Sequence, residues 1–534
     1  MKKWVIGLIL VFIVFLYVLL GQRHKEVITS EEFYQSAMEL YDRGRYGEAV
    51  DRFLQFLRLF PESQRVSQTQ YMIGQGYLKM GGYEKAVEQF EIYIKEYPHA
   101  KQIEEAKREV QLAKEKLKGK KEEKGTQESQ SIAEKTEGRE AKKEEKSLKD
   151  MEVVPSPAVK KGKRRISVQA FDFDVRSLDQ VEKRMKGLKE AGVDTLIFRV
   201  FQEKGEPVYK FATPRSEEGV YFKTEYAPVV DDILGRIAEM AHRNGLDLFA
   251  WMTTRYAAFG SAKNPEQLCK RFNHQTKKME LTKGYTLFHP EVLKRLEGIY
   301  RDLSRYPIDG ILFQDDLILR QDEDFSAEAN KAFQKEFGNL PQPESFYLDL
   351  QKPETGLYQV KTYGDRFWTW ANWKNRWLMD VAQRLMNAAR ESNPNLQFGL
   401  NLYYETILDP SDGLAFYSQS LSGAIEKNFD YYAIMAYHRQ MMRDLKIEKK
   451  KALDLVTQVA AKAVKSVGDA SKVMMKVQIH DWKSYEMIPQ KEVEEILSEI
   501  LSHGETSFAF VPYTERFPFQ QLKQKWSKTS QDNL

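Results

Sequence analysis

Two neighbouring carboxylates follow a short apolar segment in the middle of the chain. Residues 310–313 are Gly-Ile-Leu-Phe, and Gln314, Asp315 and Asp316 come directly after them. An apolar segment that ends abruptly in two acids is typical of a buried parallel strand whose carboxyl end opens into a cleft. A pair of acids there could transfer protons to and from a bound substrate. The alternative is a helix cap, because Asp at a strand end often accepts hydrogen bonds from the next helix.

Polar and aromatic residues also follow the other apolar segments. Acids, rings and amides together suit a carbohydrate, because rings pack on sugar faces and carboxylates supply proton transfer. We therefore expect Asp315 and Asp316 to be catalytic. The residues expected to bind the substrate are Asp172, Asp174, Arg199, Trp251, Gln314, Asn401, Tyr437, Trp482, Tyr513 and Glu515. The histidines are scattered, so neither a metal site nor a cofactor is predicted.

Two mechanisms remain open. Side chains alternate along a strand, so one acid should be the general acid while the other orients it or binds an amine of the substrate. The partly apolar setting of Phe313 and Trp251 would raise the pKa of that acid. A second carboxylate, for direct displacement or water activation, would come from Asp172, Asp174 or Glu515. Alternatively, an acetamido oxygen of the substrate attacks the anomeric carbon, and Tyr437 or Asp315 orients it.

Alternating strand and helix signals position these residues. Helices are predicted at residues 177–191, 229–244 and 290–306. Strands are predicted at residues 166–171, 195–201, 246–252, 310–313, 396–401, 431–437, 473–478 and 506–511. This order predicts an α/β fold, a (β/α)8 TIM-like barrel over residues 166–525, whose strand ends converge on one face. A doubly wound sheet is the alternative, but no glycine-rich nucleotide loop follows the first strand.

Bulk composition limits the remaining possibilities. A chain of 534 residues is too long for one ordinary domain, so roughly two or three folded units are expected. The net charge of +4 predicts no strong electrostatic field for nucleic acid. The single cysteine, Cys269, cannot form a disulfide within the chain.

The N-terminus predicts a membrane segment. An apolar run at residues 4–21 follows Lys2 and Lys3 and precedes Arg23. This is about the length that crosses a bilayer, so residues 1–25 are predicted to be a transmembrane anchor or a signal segment. No small-x-small cleavage site follows the run, which favours an uncleaved anchor. The two lysines favour a cytoplasmic N-terminus, with most of the chain exported.

Residues 30–118 contain a repeated helical pattern. Most of the repeated positions lie 37 residues apart: Tyr41, Gly44, Tyr46, Ala49, Phe53 and Pro61 recur as Tyr77, Gly81, Tyr83, Ala86, Phe90 and Pro98. This pattern resembles the tetratricopeptide repeat, and a last helix at residues 103–118 would cap the stack. The resemblance implies a module that binds a protein partner, although two repeats can also be a spacer.

Residues 119–165 are rich in Lys, Glu, Gln and Ser, which predicts a disordered charged linker.

Several strings in the C-terminal part match a known family in order and spacing. They are VQAFDFD, TLIFRVF, FAWM, DGILFQDD with the following DED, FDYYAIMAY and FAFVPY. Over about residues 166–525 the chain resembles the C-terminal glycoside hydrolase domain of the PgaB family, which is periplasmic and processes poly-β-1,6-N-acetyl-D-glucosamine. The resemblance implies a barrel that cleaves the partially de-N-acetylated polymer within its chain, in exopolysaccharide export and biofilm formation. The protein would then be anchored in the inner membrane, with the bulk of the chain in the bacterial periplasm.

Two departures from the family pattern are evident. The family usually has His before its Asp pair, whereas this chain has Gln314. Nothing in the sequence supplies the metal ligands of the family's N-terminal deacetylase domain, so deacetylase activity is not predicted. The alternative to a hydrolase is a non-catalytic polysaccharide-binding scaffold that recruits export partners through its repeats.

Overall fold

The chain divides into two compact units, residues 1–143 and 144–534. The computed structural model describes residues 30–60, 63–98, 100–132, 162–206, 208–259, 264–274, 276–351 and 359–527. The predicted anchor at residues 1–25 lies outside these ranges. Within them, no helix has the length and apolar character needed to cross a bilayer.

The first unit consists of helices that pack in sequence order. They are α1 (Ser30–Asp42), α2 (Tyr46–Leu59), α3 (Val66–Lys79), α4 (Tyr83–Glu96) and α5 (Ile103–Ile132). The repeated small and aromatic residues fill the space between helices, since Ala49, Phe53, Ala86 and Phe90 are all fully buried. Gly76 lies at a close approach, where a Cβ would come within 2.3 Å of the Val50 Cγ2.

Helix α5 is longer than the sequence pattern predicts. It runs to Ile132 rather than ending near residue 118, and so extends into the predicted linker. The extension is rich in Lys, Glu and Gln, which have high helix propensity, although it has few apolar residues to pack. Low hydrophobicity was therefore a poor guide to backbone conformation at residues 119–132.

The second unit is a closed barrel of eight parallel strands. They are β1 (Ile166–Ala170), β2 (Thr195–Arg199), β3 (Asp247–Met252), β4 (Gly310–Phe313), β5 (Gln397–Tyr403), β6 (Tyr431–Met435), β7 (Val473–Gln478) and β8 (Ser507–Val511). Each strand pairs with the next in sequence, and β8 pairs with β1 to close the ring. The barrel prediction is confirmed.

Alternating side chains of the strands fill the barrel lumen. This inner cluster contains Ile197, Phe249, Trp251, Leu312, Tyr431, Ala433, Met474 and Ala509. The other face of each strand packs against the surrounding helices in the main core. The longer helices are Leu178–Glu190, Leu234–Arg243, Pro290–Leu303, Ala327–Phe337, Asp365–Arg390, Pro410–Tyr417, His438–Leu445, Lys449–Val467, Gln490–Leu501 and Phe519–Ser527. Two shorter helices are Glu405–Leu408 and Leu421–Ile425.

The predicted helix at residues 229–244 starts later than expected, at Leu234. Val229 instead forms a bridge with Val220, and the Val230 N–H donates to the Val220 carbonyl. Val220 belongs to a hairpin in the loop after β2, Phe201–Gln202 with Gly219–Val220. Further hairpins, which the sequence pattern did not indicate, are Leu268–Asn273 with Lys278–Tyr285 and Tyr347–Gln351 with Gln359–Tyr363.

Candidate active site

The two neighbouring acids after β4 have different surroundings. Asp316 is only 3% exposed and accepts hydrogen bonds from the loop that follows β3. The donors are the Thr253 hydroxyl (2.7 Å), the Thr254 hydroxyl (2.9 Å), the Thr254 N–H (2.9 Å) and the Tyr256 N–H (2.8 Å). Burial raises the pKa of Asp316, and these hydrogen bonds act in the opposite direction. Asp316 therefore ties the β4 end to the β3 loop.

Asp315 is half-buried at the carboxyl end of the barrel. The Tyr403 hydroxyl at the end of β5 donates a long hydrogen bond of 3.5 Å to its Oδ2. The pKa of Tyr403 and that of Tyr437 are both raised, mainly by burial and secondly by the negative charge of Asp315. Neither acid caps a helix, because Ser326 caps the next helix, Ala327–Phe337.

Aromatic side chains form a wall at the same end of the barrel. The Trp251 ring lies 4.8 Å from the Phe171 ring, centroid to centroid. Phe171 stacks on Trp482 at 6.2 Å, and Trp482 meets Tyr437 edge-on at 5.6 Å. The rings come from the ends of β1, β3, β6 and β7, so distant parts of the sequence build one continuous surface. Such a surface is suited to the flat faces of sugars.

Several buried polar atoms near this wall have no hydrogen-bond partner among the described residues. They are Trp251 Nε1, Gln314 Oε1, Asn401 Oδ1 and Gln478 Oε1. The orientation of Asn401 is fixed, since its Nδ2 donates to the Phe313 carbonyl at 2.9 Å. Unpaired buried polar atoms are costly, so this set of acceptors and one donor could be satisfied by the hydroxyl and amide groups of a sugar.

Residues 177–511 match the family described as hypothetical glycosyl hydrolase family 13, GHL13. The chain belongs to this family. Residues 27–133, in the helical unit, match the YfiO outer membrane lipoprotein family.

Two curated relatives of the GHL13 chain are the poly-beta-1,6-N-acetyl-D-glucosamine N-deacetylases of Escherichia coli K12 and Escherichia coli O157:H7. Each is 24% identical over 358 residues, which cover 63% of this chain and 48% of the relative. The chain thus spans about half the length of these relatives. The PgaB (BpsB) glycoside hydrolase domain from Bordetella bronchiseptica aligns with a TM-score of 0.53 and 21% identity, covering 68% of this chain and 99% of that domain. The expected resemblance to PgaB is confirmed.

The remaining predicted residues of the GHL13 barrel come from the ends of β1, β2 and β8. Arg199 is buried, pairs with Glu206 at 2.5 Å and lies 5.7 Å from the Trp251 ring. Asp172 is exposed just after β1, beside Phe171. Tyr513 is half-buried and packs on Phe173 at 5.2 Å, where burial raises its pKa to about 12.

Two predicted binding residues are engaged in exposed ion pairs. Asp174 pairs with Lys210, and its side chain is 80% exposed. Glu515 pairs with Arg184 of the helix Leu178–Glu190, and its side chain is 56% exposed. Both carboxylates are therefore exposed and engaged by cations from other segments, in contrast to the half-buried Asp315.

A cavity of about 670 Å³ adjoins the Asp316 anchor on the side of the loops after β2, β3 and β4. Its lining mixes acids and bases, namely Glu203, Lys204, Glu218, Tyr256, Ala258, Phe259, Arg271, Leu281, Thr282, Lys283, Arg320, Asp322 and Glu323. Its inner wall is held by a buried ion pair of 3.1 Å between Arg255 and Glu323. Lys374 holds the loop after β4 by donating hydrogen bonds to the Arg320 carbonyl at 2.8 Å and to the Glu323 carbonyl.

The sequence interpretation missed two features of the site. The donors that hold Asp316, Thr253 to Tyr256, carried no recognisable signal because they belong to a loop whose path depends on the whole fold. Lys476 on β7 did carry one, since a lysine inside a predicted buried strand is unusual. Within the described residues, no cluster of His, Cys, Asp and Glu is arranged to hold a metal ion.

Proposed function

We propose that the barrel is a glycoside hydrolase domain that cleaves partially de-N-acetylated poly-β-1,6-N-acetyl-D-glucosamine within its chain. The observation that carries the proposal is the position of Asp315, half-buried at the carboxyl end of the barrel, where the rings of the aromatic wall also lie. The names of the E. coli relatives support the polymer as substrate. The cavity beside the β2, β3 and β4 loops would accommodate further units of an extended chain.

In this proposal Asp315 is the general acid and Asp316 its anchor. Asp316 cannot reach a substrate while the β3 loop encloses it, whereas Asp315 has one long hydrogen bond to exchange. Asp315 gives its proton to the glycosidic oxygen as the bond from that oxygen to the anomeric carbon breaks. Trp251, Tyr437 and Trp482 hold the sugar by its faces.

The nucleophile in this proposal is the substrate's own acetamido oxygen. Asp174 and Glu515 are held in exposed ion pairs, which favours the substrate-assisted route over direct displacement. The carbonyl oxygen attacks the anomeric carbon and gives a cyclic oxazolinium ion. Water then attacks the same carbon, Asp315 takes up the proton of that water, and the acetamide is restored. Tyr437 orients the acetamide during both steps.

The remaining parts of the chain supply location and partners in this proposal. Residues 1–25 anchor the protein in the inner membrane, and the barrel lies in the periplasm of an exopolysaccharide export and biofilm system. The helical unit binds a protein partner of that system. The match of residues 27–133 to an outer membrane lipoprotein family supports a role in the cell envelope. Residues 119–165 connect the two units.

The experiment is the release of reducing ends from partially de-N-acetylated poly-β-1,6-N-acetyl-D-glucosamine by the full chain. We expect mid-chain products from the wild type, a loss of at least about 100-fold in Asp315→Asn, and no loss in Asp454→Asn. Asp454 is a matched control, an exposed acid on the helix Lys449–Val467. Equal turnover by Asp315→Asn and wild type would refute the assignment.

The second candidate is a non-catalytic polysaccharide-binding scaffold. The ion pairs of Asp174 and Glu515 favour it, since they engage two of the three carboxylates predicted as partners of Asp315. It predicts that the wild type binds the polymer and releases no reducing ends at any pH. Turnover that depends on Asp315 would eliminate this candidate.

A further inference from the structure

Two tyrosines from the end of β5 and the loop after it stack face to face beside Asp315. The Tyr403 ring lies 3.9 Å from the Tyr417 ring, centroid to centroid, and the two ring planes differ by 6°. The Tyr403 hydroxyl donates to Asp315 Oδ2 at 3.5 Å. The Tyr417 hydroxyl donates to Glu405 Oε1, also at 3.5 Å. The contact that links Tyr417 to Asp315 therefore runs through Tyr403.

Buried hydrogen bonds fix the backbone that carries the Tyr417 ring. The Leu319 N–H, in the loop after β4, donates to the Tyr417 carbonyl at 3.1 Å, and the Ser418 hydroxyl donates to the Leu319 carbonyl at 2.8 Å. The Gln419 side chain accepts from the Tyr403 N–H at 3.3 Å and donates to a carbonyl of β5 at 3.0 Å. Ser418 is fully buried with a φ of 51°, a left-handed conformation that a serine keeps only where its surroundings impose it. These contacts hold the Tyr417 ring in one position relative to β5.

A hydrogen bond to one carboxyl oxygen decides where a neutral acid carries its proton. Because Tyr403 donates to Oδ2 of Asp315, the proton of the neutral acid is favoured on Oδ1. When that proton leaves, the same hydroxyl stabilises the carboxylate that remains. The bond is long in the absence of substrate, as catalytic hydrogen bonds often are. Burial raises the pKa of Tyr403 and of Tyr417, and the Arg320 guanidinium lowers both by less, so the two hydroxyls keep their protons.

We propose that Tyr403 and Tyr417 are positioning residues for Asp315, with the Tyr417 ring holding the Tyr403 hydroxyl on Oδ2 of the acid. This inference rests on the proposed function, in which Asp315 is the general acid. The proton that moves goes from Asp315 Oδ1 to the leaving oxygen, which takes the electron pair of the bond that breaks, and Tyr403 keeps its own proton throughout. The role differs from that of the aromatic wall, because Tyr417 covers the face of Tyr403 on which it stacks.

The test is the measurement of kcat and KM for reducing-end release by the full chain from the partially de-N-acetylated polymer. Tyr403→Phe keeps the ring and removes the hydroxyl, whereas Tyr417→Ala keeps the hydroxyl and removes the ring that holds it. Each should lower kcat about 10-fold and leave KM within about twofold, because the hydroxyl acts on the acid rather than on the bound sugar. The double variant should also lose about 10-fold, since both changes remove the same interaction.

Conservative variants separate positioning from folding. Tyr417→Phe keeps the stacked ring and should retain kcat within about threefold of the wild type. Phe416→Ala removes the neighbouring ring, which is 36% exposed, and should leave kcat unchanged. If Tyr417→Ala does not fold, Tyr417→Leu takes its place, because leucine keeps apolar volume without a flat ring. Losses that multiply to about 100-fold in the double variant, a rise in KM in place of the fall in kcat, or an equal loss in Phe416→Ala would overturn the proposal.

A wild type without turnover would refute the proposed function, and the contact itself is then tested by crystal structures of the variants. We expect the Tyr403 hydroxyl to stay within hydrogen-bonding distance of Asp315 in Tyr417→Phe and to move away from it in Tyr417→Ala. A Tyr403 hydroxyl that remains on Asp315 in Tyr417→Ala would overturn the inference on this route also.

Discussion

Replacing Asp316 tests whether the second acid is an anchor. In Asp316→Ala the buried N–H groups of Thr254 and Tyr256 lose their acceptor, and each such loss costs about 1–3 kcal/mol. The Thr253 and Thr254 hydroxyls can rotate toward other acceptors, so their loss costs less. The substitution also removes the cost of burying the Asp316 carboxylate, a cost that is seen in its raised pKa. This offsets part of the lost unfolding free energy. The expected net loss is about 3 kcal/mol of unfolding free energy.

Asp316→Asn provides the matched comparison. An amide oxygen at the Oδ2 position still accepts from Thr253, Thr254 and Tyr256, and the amide nitrogen faces a hydroxyl that can accept. This variant should lose about 1 kcal/mol. Urea unfolding followed by tryptophan fluorescence at pH 7 measures both, with Asp454→Ala as an exposed control. The anchor assignment fails if the Ala variant stays within about 0.5 kcal/mol of the wild type, or if Ala and Asn are equal.

Three further predictions follow from packing and burial. Gly219→Ala should destabilise the barrel by about 3 kcal/mol in urea unfolding, because φ is 133° there and a Cβ would come within 2.0 Å of the Pro228 carbonyl oxygen. Gly76→Ala should cost about 1–3 kcal/mol by pressing on Val50, seen as faster hydrogen exchange in α2 and α3 with the barrel strands unchanged. Burial lowers the pKa of Lys374 to about 7, whereas a lysine in the unfolded chain has a pKa of about 10.4. The buried ammonium therefore destabilises the fold most below pH 7, and this destabilisation decreases as pH rises toward about 10.4. The unfolding free energy of the wild type relative to Lys374→Met should therefore rise by up to about 1.4 kcal/mol per pH unit from pH 7 to 9, and a flat difference would contradict it.

The elements that repeat regularly could be predicted from the sequence. Apolar runs of strand length, separated by amphipathic helices, were sufficient to predict the barrel, because each run must be buried on both sides. The alternation of side chains also indicated that Asp315 and Asp316 would differ in environment. Trp251 was expected at this end of the barrel because it lies at the end of a predicted strand, and it belongs to the inner cluster.

Contacts made by long loops could not be predicted in this way. Asp174 and Glu515 follow strands as Asp315 does, but Lys210 and Arg184 come from other elements and hold them in exposed pairs. Strand periodicity gives no information about such partners. The position of Lys476 in a buried strand was visible in the sequence, but its hydrogen bond to Gln169 depends on the closure of the ring between β7, β8 and β1.

The division of roles between the two acids has a consequence for the substrate. If Asp316 is an anchor and Asp174 and Glu515 stay in their ion pairs, two of the three predicted carboxylates are engaged, and the proposed nucleophile is the acetamido oxygen of the sugar. A polymer without acetyl groups should then bind the aromatic wall but not be cleaved, whereas a partially acetylated one of equal length should be cleaved. Because an amine cannot form the oxazolinium ion, we expect a difference of at least about 100-fold in the rate of reducing-end release. Comparable rates on both polymers would show that a carboxylate of the protein, with Asp172 as the remaining candidate, supplies the attack.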